Sequence, residues 1–243
     1  MVWTQNKPMG KITRILKEAN PETNEAVDHS TFTSMFDAFA ESNDMDIIEL
    51  PEGVHLYSYG SGSPYTFIVS GQHGDERAGP LALLEMARDG EFIVAKGTVR
   101  VCPIVSPESW DEYVRAAGGR NSNREWGGPH KTHPQVKAMM AILEEDPPDV
   151  FLDLHESDAP MPVGKHKLEL RHAGTAWGKE MLVQLGPDAR GVAMHSHIPY
   201  SAETYAHNLG IPATAAVETN SFNLELQERI ELHKSVVRLA IGR

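Results

Sequence analysis

The segment Tyr65-Thr-Phe-Ile-Val-Ser-Gly-Gln-His-Gly-Asp-Glu-Arg77 decides the fold class of this 243-residue chain. Its first part is a nearly continuous apolar run, which is typical of a strand buried on both faces. A glycine-flanked turn follows, and residues 80–88 then have the apolar spacing of an amphipathic helix. A buried strand that leads through a short turn into a helix predicts an α/β fold.

The alternation of strands and helices continues on both sides of this segment. Further strands are predicted at residues 46–50, 55–59, 98–105, 149–155 and 211–217. Further helices are predicted at residues 31–41 (capped by Ser30), 134–145, 177–185, 202–209 and 224–241. Residues 106–132 and 156–172 are rich in Pro, Gly or polar side chains and are predicted to be loops. We therefore expect one α/β domain over residues 46–243, with a twisted, mixed and largely parallel central sheet and helices on both faces. An N-terminal extension, residues 1–45, precedes it and carries one helix.

The composition excludes several classes of protein. Hydrophobic residues make up 40% of the chain, which is too many for a disordered protein. Because 22 Lys and Arg residues face 34 Asp and Glu residues, the net charge is -12, and neither nucleic acid nor an anionic membrane is an expected partner. Cys102 is the single cysteine, which excludes an internal disulfide. With no signal-peptide core and no apolar run long enough for a membrane span, the sequence favours a soluble cytoplasmic protein.

Two histidines stand at the ends of buried strands, where ligand sites form in open α/β sheets. His73 follows the first quoted strand and is spaced H-x-x-E with Glu76, whereas His155 ends a later strand. Two imidazoles and one carboxylate, without thiolate, suit a single zinc ion that keeps one position open for water. Asp153 lies on the same strand face as His155, where its carboxylate is able to orient the imidazole. A histidine that only caps a strand is the alternative interpretation of His155.

The H-x-x-E spacing is weak support by itself, because 12 histidines in a chain of this glutamate content give about one such pair by chance. A second pair, His166 and Glu169, lies in a charged Lys-His-Lys segment. We interpret that second pair as solvated surface, because it does not follow a buried strand.

Further charged residues point to the same edge of the sheet. Glu218 ends an apolar strand, where a carboxylate is costly unless it has a partner or a function. The long loop carries Arg115, Arg120 and Arg124, and Asn123 precedes the last of these. A planar guanidinium beside an amide suits a carboxylate ligand. A salt-bridged glutamate and a solvated arginine loop are the alternatives.

Taken in chain order, these residues resemble the zinc carboxypeptidase superfamily, which includes the succinylglutamate desuccinylase/aspartoacylase branch. The likeness runs from about Tyr65 to Glu218 and rests on short motifs whose order is the specific feature. These motifs are His73-Gly-Asp-Glu76 and Asp153-Leu-His155 (metal ligands), Ser106-Pro107 (similar to an Asn-Pro turn), Asn123-Arg124 (carboxylate binding) and Glu218 (catalytic glutamate).

The resemblance also implies roles for single residues. Glu218 is expected to act as general base, and Arg115 is expected to stabilise the oxyanion, with Arg120 as the competing candidate. Tyr200 or Tyr205 is expected to cap the substrate. One departure from the family is Asn121, which stands where an acidic residue is usual.

We therefore expect a zinc hydrolase with one Zn²⁺ per chain, which cleaves an amide bond next to the free carboxylate of a small peptide. Because only one predicted helix follows Glu218, we favour the peptidase-like branch over the desuccinylase/aspartoacylase branch, which has an extra C-terminal domain. A deacylase that acts on N-acyl amino acids is the alternative, and a binding domain that has lost its metal is a further one. Inverted H-x-x-E-H chemistry is excluded by Arg77, and no G-x-S-x-G serine hydrolase motif is present.

Overall fold

The computed structural model describes residues 27–129, 133–157, 166–172, 175–193 and 198–242. The first elements in chain order are α1 (His29–Ser42), β1 (Asp46–Glu49), β2 (His55–Ser61), β3 (Tyr65–Ser70), α2 (Ala78–Arg88), β4 (Gly97–Cys102), α3 (Pro107–Glu112) and α4 (Pro134–Glu145). The later ones are β5 (Val150–Ser157), β6 (Leu168–His172), α5 (Ala176–Leu185), β7 (Ala189–Ala193), α6 (Ala202–Asn208), β8 (Ala213–Asn220) and α7 (Leu226–Ala240). Short 3-10 turns lie at Pro51–Gly53, Ala117–Gly119, Ser122–Arg124 and Gly186–Asp188.

The strands form one sheet in the order β1-β2-β4-β3-β5-β8-β6-β7. The four central strands β4, β3, β5 and β8 run parallel to one another, because their connections return through helices. The pairs β1-β2, β2-β4 and β6-β8 are antiparallel. This mixed sheet with a parallel centre confirms the predicted fold class.

Helices cover both faces of the sheet, and each face has its own apolar core. Buried residues of α1, α2, α5 and α7 pack with one face, to which Ile68, Leu152 and Val217 contribute. Buried residues of α4 and α6 pack with the opposite face, to which Phe67 and Phe151 contribute. Because side chains alternate along a strand, Asp153 and His155 lie on the face of Phe151.

Local differences from the sequence prediction have simple causes. Helix α1 confirms the predicted helix, but its N-cap is Asp28, whose carboxylate accepts from the Thr31 amide at 2.7 Å, rather than Ser30. Strand β6 and helix α3 lie in segments predicted to be loops, and β7 lies in a segment given no element. Most of the predicted N-terminal extension, residues 1–26, lies outside the described residues. Within those residues, no helix combines the length and apolar character that a membrane crossing requires.

Candidate active site

The sheet brings the three predicted metal ligands together. His73 and Glu76 follow β3, and His155 lies near the end of β5, which is paired in parallel with β3. One ligand atom of each side chain lies within 4.8 Å of the other two, and all three residues are buried. Carboxyl ends of adjacent parallel strands meet at one edge of a sheet, and this explains why residues about 80 positions apart converge here.

The Glu76 carboxylate is the centre of this group. Its Oε1 lies 2.7 Å from His73 Nδ1, and its Oε2 lies 2.7 Å from His155 Nδ1. The Glu156 amide donates a further hydrogen bond to Oε2 at 3.1 Å. Burial opposes ionisation of Glu76, but His155 and His73 outweigh it and hold the carboxyl pKa well below its usual range. Glu76 is therefore an anion at neutral pH.

The second ring nitrogen of each histidine is held by an oxygen. His73 Nε2 lies 3.1 Å from Asn121 Oδ1, and His155 Nε2 lies 2.9 Å from Asp153 Oδ2. These contacts turn both Nδ1 atoms towards Glu76. Two imidazole nitrogens and one carboxylate, each held by a further hydrogen-bond partner, form a donor set that fits zinc or a similar divalent metal.

Asp153 is itself tightly anchored. It is completely buried, and its Oδ2 accepts a hydrogen bond from Gln72 Nε2 at 2.7 Å. Gln72 in turn accepts from the Trp126 indole at 2.8 Å, and its carbonyl accepts from Ser122 at 2.8 Å. Burial disfavours the charged imidazole of His155, but the Asp153 and Glu76 carboxylates outweigh burial and raise its pKa well above its ordinary value.

Close packing fixes the turn that carries the first two ligands. Gly74 has no side chain, and a Cβ atom there would lie 1.7 Å from the Ser109 carbonyl oxygen. The Gly74 amide donates to the Val114 carbonyl at 2.9 Å, so the segment after α3 lies directly against the turn. Arg77 strengthens this contact, because its guanidinium lies 3.6 Å from the centre of the Trp110 ring.

This contact brings Arg115 to the ligands. Its Nη1 donates to Glu76 Oε1 at 2.7 Å, and the side chain is about half exposed to the cleft. Arg120, the competing candidate, lies elsewhere. It forms an ion pair with Glu108 and lines a separate small cavity beside the start of α4.

A cleft of about 190 Å³ opens above the ligands. Its walls combine the ligands with cations, carboxylates and a few small residues: His73, Arg115, Asn123, Arg124, His155, Glu156, Ser157, Arg171, Ile198, Glu203, Ala216 and Glu218. Six of the residues singled out from the sequence therefore line the cleft: His73, Arg115, Asn123, Arg124, His155 and Glu218. Glu76 and Asp153 are buried, and neither they nor Arg120 and Tyr200 line it.

Glu218 lies beside His155 in the β5-β8 ladder. Its Oε1 is 3.3 Å from Arg171 Nη1, and only 13% of its side chain is exposed. Burial raises the pKa of the Glu218 carboxyl, and the positive charges of His155 and Arg171 offset only part of this. A buried carboxylate with a raised pKa, held next to a metal-type donor set, is suited to accept and return a proton.

The neighbouring strand overturns one interpretation of the sequence. Glu169 is buried at 5% exposure, and it lies opposite Glu218 in the β6-β8 ladder. Its two oxygens accept from Arg171 at 2.7 Å and from Arg190 at 2.6 Å. The interpretation of Glu169 as solvated surface is therefore wrong, since β6 places it behind the cleft.

Arg124 and Asn123 lie at the opposite wall. Within the described part of the chain, Arg124 forms no ion pair, and its Nη1 donates to the Asn123 carbonyl at 2.5 Å. The Asn123 carboxamide is used internally, because Oδ1 accepts from the Ala202 amide at 2.9 Å and Nδ2 lies 3.0 Å from His155 Nε2. Arg124 is thus a cation available to an incoming carboxylate.

The two tyrosines considered for substrate capping lie outside the walls of the cleft. Tyr200 has a left-handed backbone (φ 64°), and its carbonyl accepts from the Trp126 amide at 3.1 Å. The Tyr205 hydroxyl donates to Glu144 at 2.5 Å, and its ring packs against Trp126. Tyr205 therefore has a packing role in this structure.

Among the wall residues that the sequence prediction missed are two charged ones, Arg171 and Glu203. Arg171 lies on β6, which was predicted to be a loop, whereas Glu203 resembles the acidic residue that often occupies the first turn of a helix. Burial and the nearby Asp153 carboxylate raise the pKa of Glu203. The alternation Leu168-Glu-Leu-Arg-His172 was the available signal for β6.

No protein-family model and no curated protein matches the chain. Solved structures do match it. A provisionally assigned metallopeptidase from Shewanella amazonensis SB2B is 19% identical with a TM-score of 0.72, over 88% of this chain and 92% of the other. A metallo-carboxypeptidase from Burkholderia cenocepacia is 16% identical with a TM-score of 0.71, over 90% and 69%.

A third match is the product-bound cell shape determinant protein Csd4 from Helicobacter pylori. It is 16% identical with a TM-score of 0.65, and the match covers 78% of this chain and 54% of Csd4. Identities this low define the architecture and not the activity. The chain has the fold of the metallo-carboxypeptidases.

Proposed function

We propose that the chain is a zinc-dependent hydrolase that cleaves an amide bond next to a free carboxylate, in the manner of a carboxypeptidase. The observation that carries the proposal is one cleft that lies against a His-Glu-His donor set and is lined by a buried carboxylate and by an arginine with no carboxylate partner among the described residues. His73, Glu76 and His155 would hold the metal. Zinc in such a site supplies Lewis acidity, which makes water nucleophilic near neutral pH.

Glu218 is proposed as the general base and then the general acid. Its position beside His155 supports this role, because a proton acceptor has to lie within hydrogen-bonding reach of the attacking water. The Glu218 carboxylate would take a proton from water as the C–O bond forms, and it would return that proton to the leaving nitrogen as the C–N bond breaks. Glu76 is less suited, since its carboxylate is assigned here to the metal and its two oxygens lie 2.7 Å from His73 Nδ1 and His155 Nδ1.

Two of the arginines that line the cleft, Arg115 and Arg124, are proposed to bind the substrate and the developing charge. Arg124 would bind the substrate carboxylate through its planar guanidinium, and its lack of a carboxylate partner among the described residues supports this. Arg115 would stabilise the developing oxyanion, because it lies against the ligand Glu76 and is half exposed to the cleft. Its pairing with Glu76 has to loosen for this role.

A peptide is the favoured substrate class. Two of the structurally similar proteins are described as a metallopeptidase and a metallo-carboxypeptidase. This supports cleavage of a peptide bond before a terminal residue more than deacylation of an N-acyl amino acid. Both reactions need the same donor set and the same carboxylate clamp, so only turnover distinguishes them.

The test is metal analysis followed by a substrate screen. We expect one zinc per chain after reconstitution, and turnover of N-blocked dipeptides with a free C-terminal carboxylate but not of their C-terminal amides. Arg124→Lys should reduce this preference for the acid over the amide, because an ammonium cannot replace a bidentate guanidinium. Turnover of N-acyl amino acids alone would contradict the peptidase assignment, and absence of zinc binding would contradict the hydrolase assignment.

A further inference from the structure

Gln72 is a buried glutamine that the proposed reaction does not use. It lies immediately before the ligand His73, and only 1% of the residue is exposed. Its side-chain amide makes two hydrogen bonds, in which Nε2 donates to Asp153 Oδ2 at 2.7 Å and Oε1 accepts from the Trp126 indole at 2.8 Å. A carboxylate only accepts and an indole only donates, so an amide, which does both, fits between them. Gln72 therefore joins the candidate metal ligands to the loop that contains Trp126.

The first of these hydrogen bonds anchors Asp153. This residue is completely buried, and its Oδ1 atom has no hydrogen-bond partner. Its Oδ2 atom is shared by Gln72 and by His155 Nε2, which lies 2.9 Å away. Without Gln72, the described residues would hold the carboxylate only through the imidazole ring that it orients. A buried carboxylate with so few hydrogen bonds is costly, so we expect it to move and the His155 ring to lose its fixed orientation.

The second hydrogen bond is one of two that flank Arg124. Ser122 Oγ donates to the Gln72 backbone carbonyl at 2.8 Å. Gln72 thus holds the loop two residues before Arg124 and, through the Trp126 indole, two residues after it. Ser122 and Trp126 are both buried, which shields these hydrogen bonds from water. A short segment that is fixed on both sides of a functional side chain keeps that side chain at a constant distance from the ligands.

We propose that Gln72 is a positioning residue for both halves of the active site. Its amide fixes the His155 ring through Asp153, and its contacts on either side of Arg124 fix the guanidinium relative to that ring. Zinc affinity and recognition of the substrate carboxylate therefore depend on one side chain that does not line the cleft. The inference rests on the proposed function, since zinc and a substrate carboxylate are the ligands assigned there to His155 and Arg124.

Zinc affinity tests the first half of the inference without turnover. Gln72→Met removes both hydrogen bonds of the amide at nearly constant volume. Gln135→Met is the matched control, because Gln135 is also buried and its amide donates to the Val105 carbonyl at 3.0 Å, away from the cleft. Competition of full-length protein with a chromophoric chelator gives the dissociation constants. We expect Gln72→Met to bind zinc about tenfold more weakly, at the low end for an outer partner of a ligand, and Gln135→Met to bind it normally.

A double variant shows whether Gln72 acts through Asp153. If it does, Gln72→Met combined with Asp153→Asn should bind zinc no more than about twofold more weakly than Asp153→Asn alone. Effects that multiply would contradict this route. Wild-type zinc affinity in Gln72→Met, or an equal loss in Gln135→Met, would overturn the role of Gln72 in metal binding.

Ser122→Ala tests the second half, and it decides the inference if Gln72→Met does not fold. It removes one hydroxyl and leaves both hydrogen bonds of the Gln72 amide in place. We expect unchanged zinc affinity, whereas the KM of an N-blocked dipeptide with a free carboxylate should rise about threefold or more at nearly unchanged kcat, as expected for one lost hydrogen bond. The preference for the acid over its amide should fall in parallel. An unchanged KM and an unchanged preference would overturn the link from Gln72 to Arg124.

The two readouts separate this inference from the proposed function. Peptide cleavage with unchanged zinc affinity in Gln72→Met and unchanged KM in Ser122→Ala would overturn the inference and leave the hydrolase assignment intact. Weakened zinc binding in Gln72→Met, without cleavage of any peptide by the wild type, would support the link from Gln72 to His155 and contradict the hydrolase assignment.

Discussion

His155 and Glu218 are paired in register on the parallel strands β5 and β8. The proposed metal ligand and the proposed base therefore lie side by side at the carboxyl ends of two central strands. Backbone hydrogen bonds of the ladder hold this spacing, and no loop intervenes. Their relative position is therefore set by the most rigid part of the fold, which is the preorganisation that proton transfer requires.

Replacement of Glu218 by Gln should stop the chemistry while preserving the site. The amide has the same shape and forms hydrogen bonds, but it cannot accept the proton. We expect normal folding and zinc content, with kcat lower by at least ~10²-fold. The turnover rate is measured in a peptide-hydrolysis assay on protein whose zinc content has been determined. Near-normal turnover would contradict the mechanism. Glu156 is a poor alternative base, because its carboxylate already pairs with Arg229 and accepts a hydrogen bond from the Ala78 amide.

Removal of one imidazole should abolish metal binding. His155→Ala deletes a donor that is buried between Glu76 and Asp153, and it leaves only two of the three ligands. Metal analysis after dialysis should show less than stoichiometric zinc, with activity lost in parallel. His166→Ala is the control, because His166 lies away from the cleft and contacts the Pro187 carbonyl. Tight stoichiometric zinc in folded His155→Ala would refute the ligand assignment.

Metal uptake should be pH dependent. Burial disfavours the charged imidazole of His155, but the Asp153 and Glu76 carboxylates outweigh burial and raise its pKa, which favours the protonated ring in the metal-free protein. Only the neutral ring binds a metal, and binding must therefore release that proton. Zinc affinity should rise with pH, and the calorimetric enthalpy of binding should change with the ionisation enthalpy of the buffer. An enthalpy independent of the buffer would count against this.

Asn121 should limit the affinity for zinc. It supports His73 with a neutral amide oxygen, whereas Asp153 supports His155 with a carboxylate. Asn121→Asp should tighten zinc binding by about tenfold, since a carboxylate behind a ligand imidazole raises its basicity, and Asn121→Ala should weaken it by a similar factor. Competition with a chromophoric chelator measures both. Three equal affinities would show that this contact does not influence the metal.

Arg115 and Arg120 should differ sharply in their effect on turnover. Arg115 touches Glu76 and borders the cleft, whereas Arg120 pairs with Glu108 outside it. Arg115→Ala should lower kcat by about 10²–10³-fold with a much smaller change in KM, as expected for a lost oxyanion donor. Arg120→Ala should leave both parameters near the wild-type values. The reverse pattern would assign the role to Arg120.

The sequence was most informative where one strand face is apolar and a lone polar residue ends the strand. His73, His155 and Glu218 stand out because each comes at or just after the end of such an apolar run. The central sheet and the candidate metal ligands were therefore predictable. Strand β6 was not, since its alternation places Glu169 and Arg171 on a buried polar face. That face is recognisable as interior only from the ion partners Glu218 and Arg190, which are distant from β6 in the sequence.

Glu203 illustrates a different limit. A glutamate in the first turn of a helix is common and usually solvated, so its position alone carries no functional signal. Its burial depends on α6 packing against the sheet beside Asp153, which is a tertiary contact. Asn121 was visible only as a departure from a motif, and its contact with His73 required the structure.

The close contact between Gly74 and the Ser109 carbonyl means that the two walls of the cleft will tolerate substitution differently when its selectivity is redesigned. Ser109 and Val114 contact the ligand-bearing turn through backbone atoms, and Arg115 reaches Glu76 with its side chain. A library that varies residues 109–115 would therefore disturb metal binding before it altered substrate choice. Residues 203 and 216 lie on the other wall, on α6 and β8, and their side chains face the cleft without supporting that turn. Directed evolution of a new substrate range should begin there.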